Sequence, residues 1–508
     1  IVSIAGGLTK NHPELERTPW KSYGSYPVSG AELNDSNSSA DKSRLYSYGA
    51  FELDRIVEIE KPDVYIGVQD FWGVDYSIDK PWFNKINSVI WTTLDSLPLL
   101  SSAVSEAPKI KNFWVWSSFA EKEMHKLGHA HVKTLHGAID VSDFRPFSED
   151  EKASLRNKNK ISSDDFIIGF VFRNQLRKSV PNLLQGFKLF KEKNPECKPK
   201  LLLHTHWKEG WGIEKLSKET GVDIKDILTT YICKKCRNYH VSSFSGHETD
   251  CSKCGSQSSC VTTSTSFGAT EKQLNEIYNL MDVYCHPFTS GGQEMPIQEA
   301  KLAGLITLVT NYSCGEEMCC PEAASIPLSW SEYREFGTEF IKASTCPISI
   351  TDSLKSVYKM TAEEKIKIGK QARKWVIDNF STTSVGGKIE KFLDSCDFKE
   401  YSLEKGYTEW HEVLDAKSAH DPSKPYVSFG VWRDVLSQRN FTKLWLPCTR
   451  YAFIDLAFAD SFKTYQKIDN RMYYAAGTRN RVCHFNFANS RNVKHEEANL
   501  RWLISALG

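Results

Sequence analysis

The sequence contains no apolar run near the ~18 residues that a membrane span needs, and its mean hydropathy is −0.42. No membrane span is expected. Net charge is also nearly absent: 64 Lys and Arg against 63 Asp and Glu leave +1. That excludes a globally polybasic nucleic-acid coat and an acidic tail protein, though not a local patch. The opening Ile-Val-Ser-Ile-Ala-Gly-Gly lacks the basic flank and long apolar stretch of a signal peptide. It reads as a buried strand running into a glycine turn. The missing initiator Met reads as a trimmed or incomplete start, and a cytoplasmic location is the expectation. Repeats and low-complexity tracts are absent. Without a secretion signal, the fourteen cysteines read as reduced thiols and metal ligands rather than a disulfide framework.

What is present is a chain of 508 residues, 40% hydrophobic and 25% charged, as in ordinary globular proteins. At about 150 residues per domain, the length fits two to four domains. Short apolar runs alternate with helical periodicity. Strands are expected at Asp63–Val68, Ser88–Thr92, Phe113–Trp116, Val132–Leu135, Phe166–Phe172, Lys200–His204, Asp282–His286 and Ile306–Val309. Helices are expected after Ser117, at Leu183–Lys193, from Thr270, at Pro296–Ala303 and at Thr361–Asn379. This alternation argues for an α/β class with parallel sheets covered on both faces. Residues 145–163 read as a polar linker. The neutral total also hides an asymmetry. Residues 1–100 hold nine Lys/Arg against fourteen Asp/Glu, and residues 424–508 hold thirteen against six.

Three stretches carry chemistry. Cys233-x-x-Cys236 and Cys251-x-x-Cys254 are fourteen residues apart. Two such turns supply the four thiolates of a tetrahedral zinc site when a hairpin joins them. Gly255 fits the second turn, and Lys234, Lys235 and Lys253 offset the charge. Four thiolates leave no open position, so the site reads as structural, in a ribbon inserted at about 229–264. Next, Ser290-Gly291-Gly292-Gln293-Glu294 follows a strand and opens a helix. Glycines there let backbone N–H groups approach an anion, and the helix start adds positive potential. Glu299, one turn on, can accept from a ribose diol. A plain strand–turn–helix junction would look the same. Finally, Arg173 and Lys178 follow the strand ending near Phe172. Ligands of open α/β sheets bind there, and both cations suit a diphosphate. A solvated basic turn is the alternative.

Together these stretches resemble glycosyltransferase family 4, also called glycosyl transferase group 1, over Lys61 to about Phe392. The resemblance is carried by Val115 to Glu123 with Leu135 to Pro146, by Gly169 to Lys178, and by Glu276 to Pro287 continuing through Ala300. It implies a GT-B fold, with two Rossmann-like domains facing a cleft. The corresponding division is residues 1–160 for the acceptor and 161–395 for the nucleotide sugar, with the ribbon at 229–264 and an aromatic, basic segment at 396–508. The family's chemistry is retaining and needs no catalytic metal. On this pattern Arg173 and Lys178 hold the donor diphosphate, Gly291 and Gly292 present amides, and Glu299 binds the ribose. Gly6, Gly7 and His136 face the donor, most simply a UDP-sugar. The family also places two glutamates eight residues apart. The first position here is Gly291, which makes Glu294 the candidate substitute. A family histidine corresponds to Leu94, which makes the next residue, Asp95, a candidate for the sugar or acceptor side. A turn or helix-capping role before Pro98 is its alternative. Candidate catalytic residues are thus Asp95, Arg173, Lys178 and Glu294.

Tyr48 to Asp54, Lys61-Pro62-Asp63, Trp91 to Pro98 and the cysteine ribbon are similar to stretches of bacteriophage glycosyltransferases. That resemblance implies hydroxymethylated pyrimidine bases of DNA as acceptor. Arg433, Arg439, Lys443, Arg450, Lys463, Lys467, Arg471, Arg479 and Arg481, interleaved with Trp432, Trp445, Tyr451, Tyr473 and Tyr474, fit a DNA partner, with cations on phosphates and aromatics on an extruded base. A folded cap with surface arginines would read similarly. Two other readings stand beside this one: an enzyme of cell-surface polysaccharide or lipid-linked glycan synthesis, and an inactive sugar-nucleotide or nucleic-acid binding protein. Nothing in the sequence points to an oligomeric state.

Overall fold

The computed structural model describes residues 1–26, 45–264 and 266–396. The basic and aromatic residues named between Arg433 and Arg481 lie outside them. The chain divides into two compact units, Ile1–Val64 with Cys396–Gly508, and Tyr65–Ser395.

In the first unit, β1 (Val2–Thr9) and β2 (Lys21–Tyr26) pair in parallel. The register shifts between Ala5 and Thr9. Gly7, at φ 76°, absorbs the extra residues and donates its N–H to Ser25 Oγ at 2.8 Å. The expected glycine turn is therefore corrected: Gly6 and Gly7 lie inside β1, and no residue of this strand is buried. Helix α1 (Leu53–Glu60) buries Leu53 and Ile56.

From β3 (Val64–Val68) the chain builds the second unit. β4 (Asn87–Thr92), β5 (Asn112–Val115) and β6 (Lys133–Thr134) follow, in the sheet order β3-β4-β5-β6. β4, β5 and β6 pair in parallel. Helix α2 (Ser118–Lys126) starts where expected, with the Ser117 side chain accepting from Ala120 N–H. The expected polar linker holds a helix instead, α3 (Glu149–Lys158). A capping box between Ser148 and Glu151 and an Arg145–Glu151 ion pair at 2.6 Å start it. It buries only Leu155, which is why no apolar periodicity announces it.

A larger sheet then forms around β7 (Asp165–Val171), β8 (Lys198–His204), β9 (Ile227–Cys233), β13 (Val283–His286), β14 (Thr307–Thr310) and β15 (Ile326–Leu328), which pair with one another in parallel. Nearly every residue of β7, β9, β13 and β14 is buried, as expected for a parallel sheet covered on both faces. Helix α4 (Val180–Lys193) lays Val180, Leu183, Leu184, Phe187 and Phe190 on it. Burial of each phenylalanine stabilises the unit by about 2–3 kcal/mol. α5 (Glu271–Asn279) begins with a Thr270–Gln273 capping box, and α6 (Met295–Leu302) follows β13. Helix α7 (Pro347–Lys359) approaches α4 so closely that a Cβ on Gly186 would lie 2.7 Å from Ile350. An antiparallel hairpin, Trp330–Arg334 with Ile341–Thr345, stands outside the large sheet.

The cysteine segment is continuous with this sheet. β9 pairs in parallel with β8 at Leu201–Leu203, and its far end carries Cys233. β10 (Tyr239–Ser243) and β12 (Cys260–Thr262) flank β9 antiparallel, and β11 (Glu248–Thr249) adds to β12. The expected insertion is thus an extension of the sheet edge.

Candidate functional site

Open parallel sheets bind ligands beyond the carboxyl ends of their strands, where strand order reverses. Here the order is β9-β8-β7-β13-β14-β15, so the chain leaves β7 in one direction and resumes on its other side at β13. The reversal lies between β7 and β13. Lys178 follows the first of these strands and Ser290 to Glu294 the second. The two segments are joined by the Thr289 N–H, which donates to the Arg177 carbonyl at 2.8 Å.

Two cations and an imidazole converge there on one acid. The Glu294 carboxylate pairs with Lys178 Nζ and Arg177 Nη1, and lies 3.2 Å from His286 Nε2. Lys178, Glu294 and His286 are buried, whereas Arg177 reaches in from solvent. Burial works against the Glu294 charge, but Lys178, His286 and Arg177 outweigh it and hold the carboxyl well below its usual range. Burial lowers Lys178 even though Glu294 favours its charge. Burial also pushes His286 down to about 4, which leaves the ring neutral at pH 7, with Tyr284 hydroxyl 2.9 Å from its Nδ1. A Cβ on Gly291 would meet Glu294 Oε1 at 2.5 Å. The Glu294 carboxylate therefore fills the space that a side chain at 291 would enter.

A second cluster adjoins this one. Asp95 Oδ1 accepts from Ser96 Oγ at 2.9 Å and Oδ2 from Ser290 Oγ at 3.3 Å. Both hydroxyls accept from Lys342 Nζ, at 2.7 and 2.8 Å. The result is a closed ring, Lys342–Ser96–Asp95–Ser290, in which a buried lysine meets its counter-charge through two serines. The ring ties the segment after β4 to the segment after β13 and to the hairpin. Ser313 Oγ reinforces it by donating to the Asp95 carbonyl at 2.6 Å. A Cβ on Gly292 would sit 2.4 Å from Thr93 Cγ2, so glycine alone allows this closeness.

The structure thus brings together Asp95, Lys178, Gly291, Gly292 and Glu294. Arg173 stands apart: its side chain is about half exposed and pairs with Glu209 at 2.8 Å. His136 bonds Glu317 at 3.2 Å, and that carboxylate also accepts from Ser118 N–H and Oγ at 3.0 and 2.7 Å. Next to His136, Gly137 exchanges two hydrogen bonds with the Gln293 amide, at 2.6 and 2.9 Å. Gly6 and Gly7 belong to the first unit. Sequence reasoning missed Arg177, His286 and Lys342. Arg177 is masked by its proximity to Lys178. His286 closes a strand, and Lys342 is a lone charge inside Ile-Lys-Ala.

Glu299 accepts from Tyr278 hydroxyl at 2.7 Å. Burial pushes its pKa up from 4.5 to about 7, against the lowering effect of that hydrogen bond. The folded protein holds this proton more tightly than the unfolded chain. Its contribution to stability is full below about pH 4.5 and is lost as pH rises through about 7. Glu299→Gln should therefore lose less stability than the parent between pH 5 and pH 8, by about 2–3 kcal/mol in chemical denaturation. Equal pH slopes would contradict this.

The four thiols Cys233, Cys236, Cys251 and Cys254 form the one such metal-competent group among the described residues, with all sulfurs within 4.8 Å of one another. Cys233 and Cys254 sulfurs are 3.7 Å apart, and Cys236 and Cys251 sulfurs 3.6 Å. Metal–sulfur bonds of about 2.3 Å in a tetrahedron set an edge of about 3.8 Å, so the cluster fits a tetrahedral ion. Each turn closes with a residue at positive φ whose N–H returns to the first cysteine's carbonyl. These are Arg237 (φ 58°, 3.0 Å) and Gly255 (φ 69°, 2.9 Å). Arg237 is held in that conformation by lying over Phe267 and donating to the Gly268 carbonyl at 2.8 Å.

No helix among the described residues is long and apolar enough to cross a membrane. No family model and no curated protein matches the sequence. Solved structures do match. Sucrose-phosphate synthase from Thermosynechococcus elongatus gives a TM-score of 0.54 at 12% identity, over 77% of this chain and 88% of that one. HepE of Anabaena, in complex with UDP, gives 0.51 at 12% identity, over 75% and 88%. A glycosyltransferase from Rickettsia africae gives 0.50 at 14% identity, over 78% and 97%. The chain has an α/β fold that matches GT-B glycosyltransferases.

Proposed function

We propose that this chain is a glycosyltransferase that takes its sugar from a nucleotide donor carried on UDP. The observation that carries the reading is the convergence of Lys178, Arg177 and the Gly291–Gly292 segment at the strand-order reversal, in a fold shared with a protein solved with UDP. Lys178 and Arg177 would hold the diphosphate, with Arg173 at the entrance. The amides of Gly291 and Gly292 would face the developing negative charge. Stabilising that charge with fixed cations and amides is the main work such a site can do. Glu299 would accept from the ribose hydroxyls. Transfer would retain configuration: the acceptor hydroxyl attacks the face the diphosphate leaves, and its proton passes to the leaving phosphate. No metal is needed for this step, and we assign zinc in the four-thiolate cluster a structural role.

For the acceptor we propose hydroxymethylated pyrimidine bases in DNA. The surplus of Lys and Arg over Asp and Glu in residues 424–508 supports it. The competing reading, a glycan acceptor, is separated by one experiment. A panel of nucleotide sugars is offered with plain, hydroxymethylcytosine and hydroxymethyluracil DNA, and the digested nucleosides are weighed by mass spectrometry. A sugar-bearing nucleoside is expected. Consumption of donor with no such nucleoside removes the DNA acceptor and keeps the enzyme. The inactive-protein reading draws on Glu294 filling the space at 291, and slow hydrolysis of any nucleotide sugar removes it.

A further inference from the structure

We propose that Glu294 is an internal surrogate for the donor phosphate. It occupies the anion seat formed by Lys178, Arg177 and His286, and has to leave that seat before a diphosphate enters. This rests on the nucleotide-sugar reading above.

Two features support it besides the ion pairs. Glu294 stands at the N-cap of α6, a position where a short acid commonly accepts from the helix amides. Its side chain makes no capping hydrogen bond and turns to the cations instead. Helix α4 starts beside Lys178, and its N-terminus also has no side-chain cap. Two helix starts without side-chain caps thus flank a seat in which the protein supplies its own carboxylate. The neighbouring acid Asp95 is engaged by Ser96 and Ser290 and is not bonded to these cations.

Electrostatics sets the consequence. With Glu294 in place, its carboxylate offsets one of the two positive charges of the seat, and an arriving diphosphate meets a like charge. Once Glu294 is out, the same cations are free. Ligand affinity is then the difference between two anions competing for one seat, so removing the internal one should tighten binding. Opening starts from the Arg177 side, because Arg177 is the one member of the seat that reaches solvent.

The test compares the parent with Glu294→Gln and Glu294→Asp, using inorganic pyrophosphate and UDP in titration calorimetry at low salt. Glu294→Gln keeps the shape and loses the charge. It should bind pyrophosphate at least about tenfold more tightly than the parent, equivalent to ~1.4 kcal/mol. Its lowered melting temperature should be restored more by pyrophosphate than the parent's is raised. Glu294→Asp cannot reach both cations and should fall between. If Glu294→Gln proves insoluble, the Asp variant decides alone. Binding by the variants no tighter than by a UDP-binding parent overturns the surrogate role and leaves the donor reading standing. If neither parent nor variants bind either probe, both fall.

Discussion

Lys178→Met is expected to lower the proposed sugar transfer by a factor of about 10³ and to cost about 3–5 kcal/mol of stability. The two effects have different origins. Lys178 and Glu294 are both almost fully buried, with side-chain exposures of 3% and 4%. Removing the cation strands a carboxylate that burial alone would push towards neutrality. The stability loss is the cost of that stranded charge, so it is recoverable. Lys178→Met combined with Glu294→Leu replaces the pair by apolar groups of similar volume and should regain most of the lost stability. Activity should stay lost, because the diphosphate then has no cation at the bottom of its seat. Denaturant titration and donor turnover on the single and double variants separate the two. A single variant as stable as the parent would mean that the pair is not buried as described. A double variant that transfers sugar would remove Lys178 from the chemistry.

Loss of metal from the cysteine cluster should be felt through the whole second unit. Metal analysis is expected to give about one zinc per chain, and Cys251→Ser to give none. Structural zinc binds with about 10–16 kcal/mol in small peptide sites, comparable to the entire stability of a typical domain. An isolated ribbon would absorb that loss by itself. This one cannot, because Cys233 is the last residue of β9, and β9 is an inner strand paired with β8. Cys251→Ser, or the parent with a chelator, should therefore melt at least about 10 °C lower in the main calorimetric transition. A separate small transition, with the main one unmoved, would show that the ribbon folds on its own.

Much of this architecture was legible in the residues. Each strand expected between Asp63 and Val309 is present within one or two residues, because buried parallel strands write themselves as continuous apolar runs. Caps at Ser117 and Thr270 were legible for a similar reason, since a hydroxyl ahead of a periodic stretch has one good use. Helix α3 was not, because capping and surface ion pairs leave no hydrophobic pattern. The hairpin Trp330–Arg334 with Ile341–Thr345 was not noticed either; four of the five residues in its first strand are exposed. In the candidate site, the glycines and Lys178 carried a local signal. The Asp95 ring did not, because Ser96, Ser290 and Lys342 meet only through tertiary folding across as many as 246 residues.

The sheet order has a bearing on assembly as well. β7 pairs with β13, and the Ile167 N–H reaches Asp282 Oδ2 across 115 residues of chain. That closure joins the two halves of the large sheet, and its entropy cost grows with the free length between them. The intervening chain contains β8, β9 and the cysteine cluster. Once a metal has gathered the four thiolates and β9 has docked on β8, most of that length is no longer free. An ion bound before the sheet closes would therefore shorten the search that β13 makes for its place beside β7.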